Sequence, residues 1–256
     1  MNMQASLSIH PIEGLPLVQT GDDLALLLGE AILRSCIELR DGDVLVVAQK
    51  IVSKSEGCIV KLNKIEPSSK ALRLAREIDK DPRLIELILR ESTEVVRTAP
   101  GVIIVRHRLG IVSANAGIDQ SNVDHEDGES ALLLPKDPDL SAARLRKALE
   151  KSTGKRLGVI VSDSMNRPWR LGTLGYAIGS AGIPVLDDRR GQRDIFGREL
   201  QVTMSNRADT IAAAATLVMG ETTERIPAAI VQGLAPEQSA QTARDCIRPL
   251  SEDLFL

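Results

Sequence analysis

Two periods of apolar residues run through this chain, and together they predict a mixed α/β fold. Short runs rich in β-branched residues are typical of strands, whereas apolar residues three and four positions apart are typical of amphipathic helices. Strands are predicted over residues 6–11, 43–48, 101–107, 111–114, 157–161, 183–186, 201–204 and 226–231. Helices are predicted over residues 24–39, from residue 67, over 81–89, 142–152 and 208–219. The first strand alternates weakly and is expected at a sheet edge.

Local signals refine these elements. Asp22 and Asp23 precede the first helix, and Asp139 or Ser141 is expected to cap the helix over 142–152. Residues 108–110, which end in glycine, predict a hairpin between the strands 101–107 and 111–114. Glycines also recur three or four positions apart, a spacing that lets two backbones, or a backbone and a ligand, approach closely. They are Gly172, Gly175, Gly179 and Gly182.

The stretch over residues 157–179 carries the strongest chemical signal. Its apolar strand is expected to end at Asp163 and Ser164, which would then offer a carboxylate and a hydroxyl to one crevice. Arg167 and Arg170 follow in a basic loop. Such a set suits a hard cation that bridges phosphates, with the arginines neutralising the remaining charge. The alternative is that Asp163 or Ser164 caps a helix and that both arginines are ordinary surface residues.

A second strand end carries similar chemistry. Asp119 follows the predicted hairpin and is itself followed by Ser121 and Asn122, so two separate strand ends each offer an aspartate. This pattern predicts a divalent-cation site. Glu221 could be a third anionic ligand or an exposed residue after a helix, and Lys54 could contact phosphate or be solvated.

Composition removes several classes of protein. The chain has 256 residues, 43% of them hydrophobic, which is enough for an ordinary core. A net charge of −3 and only 2% aromatic residues argue against a nucleic-acid partner. No apolar run or signal segment predicts a membrane partner, so a cytoplasmic location is expected. The three scattered cysteines predict neither disulfide nor zinc site and are expected in the core.

Further motifs are missing or ambiguous. The chain contains neither a Walker loop nor a G-x-G-x-x-G motif, so a nucleotide would bind without these common phosphate cradles. The charged segment 187–194 is expected to form ion pairs in solvent. His10, His107 and His125 have no matching neighbours and are not expected to be ligands, and residues 253–256 form a short apolar end.

Several motifs, taken together and in order, resemble the coenzyme F420:L-glutamate ligases over nearly the whole chain. The motifs are Gly14-Leu15-Pro16-Leu17, Asp41-Gly42-Asp43-Val44, Ile51-Val52-Ser53-Lys54-Ser55-Glu56-Gly57, Ala116-Gly117-Ile118-Asp119 with Ser121-Asn122-Val123, Ser162-Asp163-Ser164 with Arg167 and Trp169-Arg170, and Phe196-Gly197-Arg198-Glu199-Leu200. The resemblance implies a mixed α/β (α+β) fold particular to that family, neither P-loop nor ATP-grasp. An intertwined homodimer with a nucleotide cleft is expected.

The resemblance also implies roles for individual residues. Metal ligands would be Asp119, Asp163 and Ser164, with Glu221 as a further candidate. Nucleotide contacts would be Leu15, Pro16, Leu17, Val18, Gln49, Lys54 and Asn122, while Asp163, Arg167 and Arg170 would serve catalysis. Ser164 replaces the threonine usual in the family and keeps its hydroxyl. Gln49 replaces a small hydroxyl residue, which changes both size and chemistry.

The implied reaction is a GTP-dependent ligation. L-Glutamate would be joined through a γ-linkage to the phospholactyl tail of coenzyme F420-0 by way of an acyl phosphate, with release of GDP and phosphate. Mg²⁺ or Mn²⁺ is expected, and a need for a monovalent ion such as K⁺ stays open. Residues 1–256 would form one ligase domain, which could comprise two interleaved subdomains, without the nitroreductase-like domain of some relatives. The alternatives are a metal-dependent nucleotide phosphohydrolase and a non-enzymatic deazaflavin-binding protein.

Overall fold

The computed structural model describes residues 6–123 and 128–254. His125 and the last two residues, for which expectations were stated above, therefore lie outside the described residues. The chain divides into two compact units. Unit 1 comprises residues 1–18, 22–51 and 137–246, and unit 2 comprises residues 19–21, 52–136 and 247–256. The mixed α/β class expected from the sequence is confirmed.

In chain order the strands and α-helices are β1 (Ser8–Pro11), α1 (Leu24–Arg34), β2 (Val44–Ala48), α2 (Gln49–Ser55), β3 (Ile59–Lys61), α3 (Ser69–Ile78), α4 (Pro82–Arg90), β4 (Ser92–Ala99), β5 (Val102–His107), β6 (Val112–Ala114), β7 (Ser130–Leu132), α5 (Pro138–Thr153), β8 (Gly158–Arg167), β9 (Arg170–Ala181), β10 (Leu186–Asp188), β11 (Met204–Asn206), α6 (Arg207–Met219) and β12 (Ala228–Gln232).

Unit 1 is built on a five-stranded sheet in the order β1, β12, β2, β8, β9. Only β2 and β8 pair in parallel; the other neighbours are antiparallel. Val44 and Val46 pack with α6 in one apolar cluster. Leu45 and Val47 point to the other face by alternation and are also fully buried, so both faces of the central strands are covered. The expected edge strand β1 is confirmed.

The strand expected over residues 157–161 is much longer. It begins at Gly158 and continues through Asp163 and Ser164 to Arg167, where it turns directly into β9. The expectation that the strand ends at Asp163 and opens into a basic loop is therefore wrong. The reason is local pairing: the glycine-rich stretch that follows folds back as the antiparallel partner of β8.

A β-bulge interrupts this hairpin. Val161 pairs with Gly179, but the next residue, Ser162, pairs with Ala177, so Ile178 is an extra residue on β9. A bulge of this kind reverses the alternation of side chains beyond it. The reversal explains why Gly175 faces α6 whereas Gly179, on the same strand, faces α5.

These glycines permit close packing, as their spacing predicted. A Cβ atom at Gly175 would lie 2.5 Å from the carbonyl oxygen of Ala212 in α6. A Cβ at Gly179 would lie 2.2 Å from the carbonyl oxygen of Pro138 in α5. Both helices therefore approach β9 at backbone distance.

Unit 2 contains the antiparallel sheet β4, β5, β6 and the strand pair β3 and β7. The hairpin expected between β5 and β6 is confirmed, with Gly110 at a φ of 88°. Helices α3 and α4 bury their apolar faces against β5 in one cluster that includes Ala75, Ile85 and Ile103. Strand β4 lacks an apolar run and was not predicted.

Several predicted boundaries are wrong for identifiable reasons. Helix α1 ends at Arg34 rather than at residue 39, because Cys36 adopts a left-handed φ of 54°. Cys36 is exposed, so the expectation that all three cysteines lie in the core is wrong for this one. All three are free cysteines. Helix α3 begins after Ser68, whose hydroxyl accepts from the N–H of Ala71, rather than at Pro67. The strands expected over residues 183–186 and 201–204 begin three residues later, as β10 and β11.

The start of α5 also differs from the prediction. Its N-cap is Asp137, whose carboxylate accepts from the N–H of Leu140, and Pro138 occupies the first helical position. Asp139 therefore does not cap the helix, and neither does Ser141. Asp139 instead accepts the N–H groups of Ser180 at 2.8 Å and of Ala243 at 2.9 Å.

We predict that Gly175→Ala destabilises unit 1, because the new methyl group would overlap the α6 backbone, which cannot move aside as a side chain could. The expected loss is about 1–3 kcal/mol in the free energy of unfolding, measured by urea denaturation. Gly29→Ala in α1 is the matched control, since its nearest neighbour is a side-chain carbon 3.8 Å away. It should leave stability unchanged or raise it. Equal effects of the two variants would contradict the packing described here.

Candidate functional site

Ser164 and Glu221 are brought together in unit 1. The Ser164 Oγ donates a hydrogen bond of 2.9 Å to Glu221 Oε1. Ser164 lies opposite Gly175 in the hairpin, and Gly175 faces α6. Glu221 follows α6 by one glycine, Gly220. The close approach of α6 to the hairpin thus places this carboxylate beside the hydroxyl. Glu221 is exposed, as one of its two alternatives expected, and its role as an anionic ligand stays a prediction.

Asp163 lies on the other face of β8. It pairs across the hairpin with Tyr176, whereas Ser164 pairs with Gly175. Successive side chains of a strand point to opposite faces, so the expectation that Asp163 and Ser164 point into one crevice is wrong. Asp163 is half-buried, and its Oδ1 accepts the N–H of Ser164 at 2.9 Å.

Arg167 and Arg170 close the hairpin as a cross-strand pair. The two residues between them are Pro168 and Trp169, and Trp169 has a φ of 59°. A proline followed by a residue of positive φ is the pattern of a type II turn, in which glycine normally takes the second position. Arg167 is half-buried and Arg170 exposed, so two guanidinium groups extend from the same turn.

Asp119 belongs to unit 2, where its backbone forms an antiparallel bridge with Leu132. Asp119 Oδ1 accepts the N–H of Ser121 at 2.7 Å, and its Oδ2 accepts the Ser121 hydroxyl at 2.9 Å. These bonds fold residues 119–121 into an Asx-type turn. The carboxylate is half-buried. Because Asp119 and Asp163 belong to different units, their predicted meeting around one cation stays a prediction.

Lys54 and Asn122 also meet in unit 2. Lys54 extends from the last turn of α2, and its Nζ donates a bond of 2.6 Å to the backbone oxygen of Asn122. Asn122 has a φ of 54°. A lysine and an asparagine predicted as nucleotide contacts are therefore adjacent, and the turn that carries Asp119 lies between β6 and this contact.

Left-handed backbone is concentrated before Asp119. Asn115, Ala116 and Gly117 have consecutive φ values of 53°, 57° and 66°. Lys80 stabilises this segment through a bond of 3.1 Å from its Nζ to Asn115 Oδ1, and burial lowers the pKa of Lys80. Non-glycine residues in this region carry strain that proteins retain mostly at functional sites.

The remaining predicted nucleotide contacts lie in unit 1. The loop from Leu15 to Val18 joins β1 to α1, with Leu15 and Val18 buried and Pro16 and Leu17 exposed. Gln49 begins α2 directly after β2 and is 1% exposed. The role of Gln49 as a ligand contact stays a prediction.

Sequence reasoning missed the contacts that two carboxylates make with the backbone of β9. Asp209, in the first turn of α6, accepts the N–H of Ala177 at 3.0 Å, and Asp139 accepts that of Ser180. Burial raises the pKa of Asp209, and burial followed by the Asp209 charge raises the pKa of Tyr176. No spacing signal could have found these contacts, because they depend on the bulge.

The oxygen donors present are chemically suited to a divalent cation. Within the described residues, no group of three or more His, Cys, Asp or Glu side chains could hold a metal ion. Magnesium bound to phosphates, however, normally takes only one or two carboxylates and completes its shell with phosphate oxygens and water. The adjoining hydroxyl and carboxylate of Ser164 and Glu221 fit that requirement.

None of the helices in residues 6–123 and 128–254 combines the length and apolar character needed to cross a bilayer.

Comparison with known proteins identifies the class. A sequence model described as F420-0:Gamma-glutamyl ligase matches residues 14–233. Coenzyme F420:L-glutamate ligase of Methanopyrus kandleri is 46% identical over 254 residues, with 98% of each chain covered. The enzyme of that name from Methanothermobacter thermautotrophicus is 45% identical, with 97% of this chain and 98% of the relative covered. That of Methanocaldococcus jannaschii is 44% identical over 94% of each chain.

Full-length similarity of this degree defines an enzyme of the ligase class. The chain belongs to the F420-0:gamma-glutamyl ligase family. The resemblance inferred from the sequence motifs is thereby confirmed.

We predict that Lys54→Met loosens the turn at residues 119–122, because the Asn122 carbonyl loses its ammonium donor. Amide hydrogen exchange at Ser121 and Asn122 should accelerate about five- to tenfold, as expected for loss of one hydrogen bond of about 1 kcal/mol. Lys64→Met, which removes an exposed lysine of the same unit, is the control. Unchanged exchange in the Lys54 variant would show that this bond does not stabilise the turn.

Proposed function

We propose that this protein is a GTP-dependent ligase that joins L-glutamate to the phospholactyl tail of coenzyme F420-0 through a γ-glutamyl amide bond. The observation that carries the proposal is the family match over residues 14–233 and the match of named relatives over 94–98% of this chain. The Ser164–Glu221 contact and the Lys54–Asn122 contact support it, since each unites two residues predicted for the same site. We also propose that residues 1–256 act as one ligase domain.

Divalent cations, Mg²⁺ or Mn²⁺, would be held by Asp119 and Asp163 and, on the opposite face of β8, by Ser164 with Glu221. All four offer hard oxygen donors, and the Ser164 hydroxyl already has its proton directed to Glu221 Oε1. A bound divalent cation supplies charge neutralisation at the phosphate oxygens.

The proposed chemistry has two stages. The carboxylate of the coenzyme tail attacks the γ-phosphorus of GTP, so that an acyl phosphate forms and GDP leaves. The amine of glutamate then attacks the acyl carbon, the amide bond forms and phosphate leaves. Negative charge accumulates on the transferred phosphoryl group, and positive side chains held nearby stabilise it. Lys54, next to Asn122, is the cation proposed for this role.

Arg167 and Arg170 are proposed to bind anionic groups of the substrates. Their turn presents two planar guanidinium groups, and a planar fork matches either a phosphate or the carboxylate of the incoming glutamate. The loop from Leu15 to Val18, with Gln49, is proposed to contact the nucleotide. These assignments rest on the family resemblance and, for the loop and Gln49, on their positions after β1 and β2.

The ligase proposal predicts that pure protein incubated with GTP, Mn²⁺, L-glutamate and F420-0 yields glutamylated coenzyme, detected by mass spectrometry. Asp163→Asn should lower turnover at least about 100-fold with an unchanged melting temperature, because a neutral amide is a poor cation ligand. Asp188→Asn, which alters an exposed ion pair with Arg190, is the matched control and should retain turnover. GTP hydrolysis without any glutamylated product would favour the phosphohydrolase alternative.

We further propose that the protein is a homodimer. The hairpin turn and the arm between β10 and β11 expose large apolar side chains to an unusual degree, from 81% to 102%: Trp169, Leu171, Ile195, Phe196 and Val202. The arm is a ribbon, since its two sides exchange backbone bonds such as Gly191 N–H to Leu200 O at 2.8 Å. An isolated two-stranded ribbon is marginally stable in water, so we propose that a second copy covers it.

The homodimer proposal predicts a dimeric mass in sedimentation equilibrium. Phe196→Ser should weaken association, because it removes a large aromatic contact from the proposed interface. Leu217→Ser is the control, since Leu217 is 84% exposed on α6 and lies outside the arm. A monomeric wild-type protein at micromolar concentration would refute the homodimer without affecting the ligase proposal.

A further inference from the structure

Strand β9 is the edge strand of the unit 1 sheet. Its N–H groups that do not bond to β8 lack a further strand to accept them, and the bulge at Ile178 removes regular pairing as well. Ala177 and Ser180 flank this bulge and are only 8% and 1% exposed. A buried N–H group without an acceptor is costly, so these two positions require acceptors from outside the sheet.

Aspartates from two helices supply those acceptors. Asp209 Oδ1 accepts the N–H of Ala177 at 3.0 Å, and Asp139 Oδ1 accepts that of Ser180 at 2.8 Å. Asp209 is itself oriented by Asn206, whose side-chain amide donates to Asp209 Oδ2 at 2.6 Å. Asp209 belongs to α6 and Asp139 to α5, so the bulge is held by one carboxylate from each helix.

The bulge decides which residue lies opposite Ser164. With the extra residue at 178, Gly175 is the partner of Ser164. An unbroken register from the Val161–Gly179 pair would instead place Tyr176 opposite Ser164, on the face that packs against α6. The backbone of α6 lies too close to β9 for any side chain at that position. The Ser164–Glu221 contact therefore requires the bulged register.

We propose that Asp209 is a positioning residue for the Ser164–Glu221 pair. By accepting the Ala177 N–H it holds β9 in the bulged register on the hairpin side, keeps Gly175 against α6 and so keeps Glu221 in reach of Ser164. Asp139 acts on the sheet side of the bulge, where the pairs from Val159–Ala181 to Val161–Gly179 already fix the register. This inference rests on the proposed function, in which Ser164 and Glu221 bind the cation that accompanies GTP.

The test compares Asp209→Ala with Asp139→Ala in the full chain. Asp209→Ala should raise amide exchange at Ala177 about tenfold or more and should weaken Mn²⁺–GTP binding in calorimetry by a similar factor, the scale of one lost charge-assisted hydrogen bond. Asp139→Ala loses two N–H bonds, so its melting temperature should fall at least as far. Its Mn²⁺–GTP affinity should nevertheless stay within about threefold of wild type.

Asp209→Asn loses the bond from the Asn206 amide but keeps one oxygen to accept the Ala177 N–H, so it should retain Mn²⁺–GTP affinity within about threefold of wild type. If Asp209→Ala does not fold, Asp209→Leu, of closer volume to aspartate, replaces it in the same measurements. The inference is overturned if Asp209→Asn or Asp139→Ala weakens Mn²⁺–GTP binding as much as Asp209→Ala does. It is also overturned if Asp209→Ala leaves amide exchange at Ala177 unchanged. A wild-type protein that binds no Mn²⁺–GTP would instead defeat the proposed function, and this inference with it.

Discussion

The hydrogen-bonding requirement of buried backbone on β9 is the constraint on which unit 1 depends. An edge strand with a bulge leaves N–H groups that no strand can accept, and burial under two helices removes water as a substitute. Each helix that buries β9 also supplies an acceptor for one of its N–H groups: α6 contributes Asp209 and α5 contributes Asp139. Packing of the helices and pairing of the hairpin are therefore one linked arrangement rather than two independent ones.

Glycine at two positions of β9 completes this arrangement. Close contact between helix backbone and strand backbone is possible only where the strand lacks Cβ atoms on the appropriate face. The bulge turns Gly175 towards α6 and Gly179 towards α5. Without the change of face, one of the helices would meet a side chain instead. The site residues Ser164 and Glu221 thus depend on features several residues away from either of them.

Sequence reasoning identified the mixed α/β class and most core elements, while the roles predicted for the site residues stay predictions. It succeeded where the signal is local: β2 is a continuous apolar run, the β5–β6 hairpin carries a glycine of positive φ, and Asp119 and Asn122 stand in a polar turn. It failed where tertiary contacts decide the outcome. Residues 163–167 are mostly polar, as a loop would be, and only pairing with the glycine-rich β9 makes them part of a strand.

The same distinction explains the misassigned aspartate. Asp137 directly precedes α5 and Asp139 lies in its first turn. By residue type alone, either is an acceptable helix-start residue. Proline at position 138 fixes the first helical turn and leaves Asp137 as the cap. Asp139 then points at the N–H groups of Ser180 and Ala243, which are distant in sequence. No local pattern contains that information, because the acceptor is required by β9, a strand that was not predicted.

The alternation of β8 also bears on how cations could be held in this family member. Asp163 and Ser164 are neighbours in sequence, yet a continuous strand directs one towards the side of Tyr176 and the other towards Glu221. A carboxylate therefore lies on one face of β8 and a hydroxyl–carboxylate pair on the other. The contact with Glu221 is made by the Ser164 hydroxyl alone, a group that a threonine at this position would also carry.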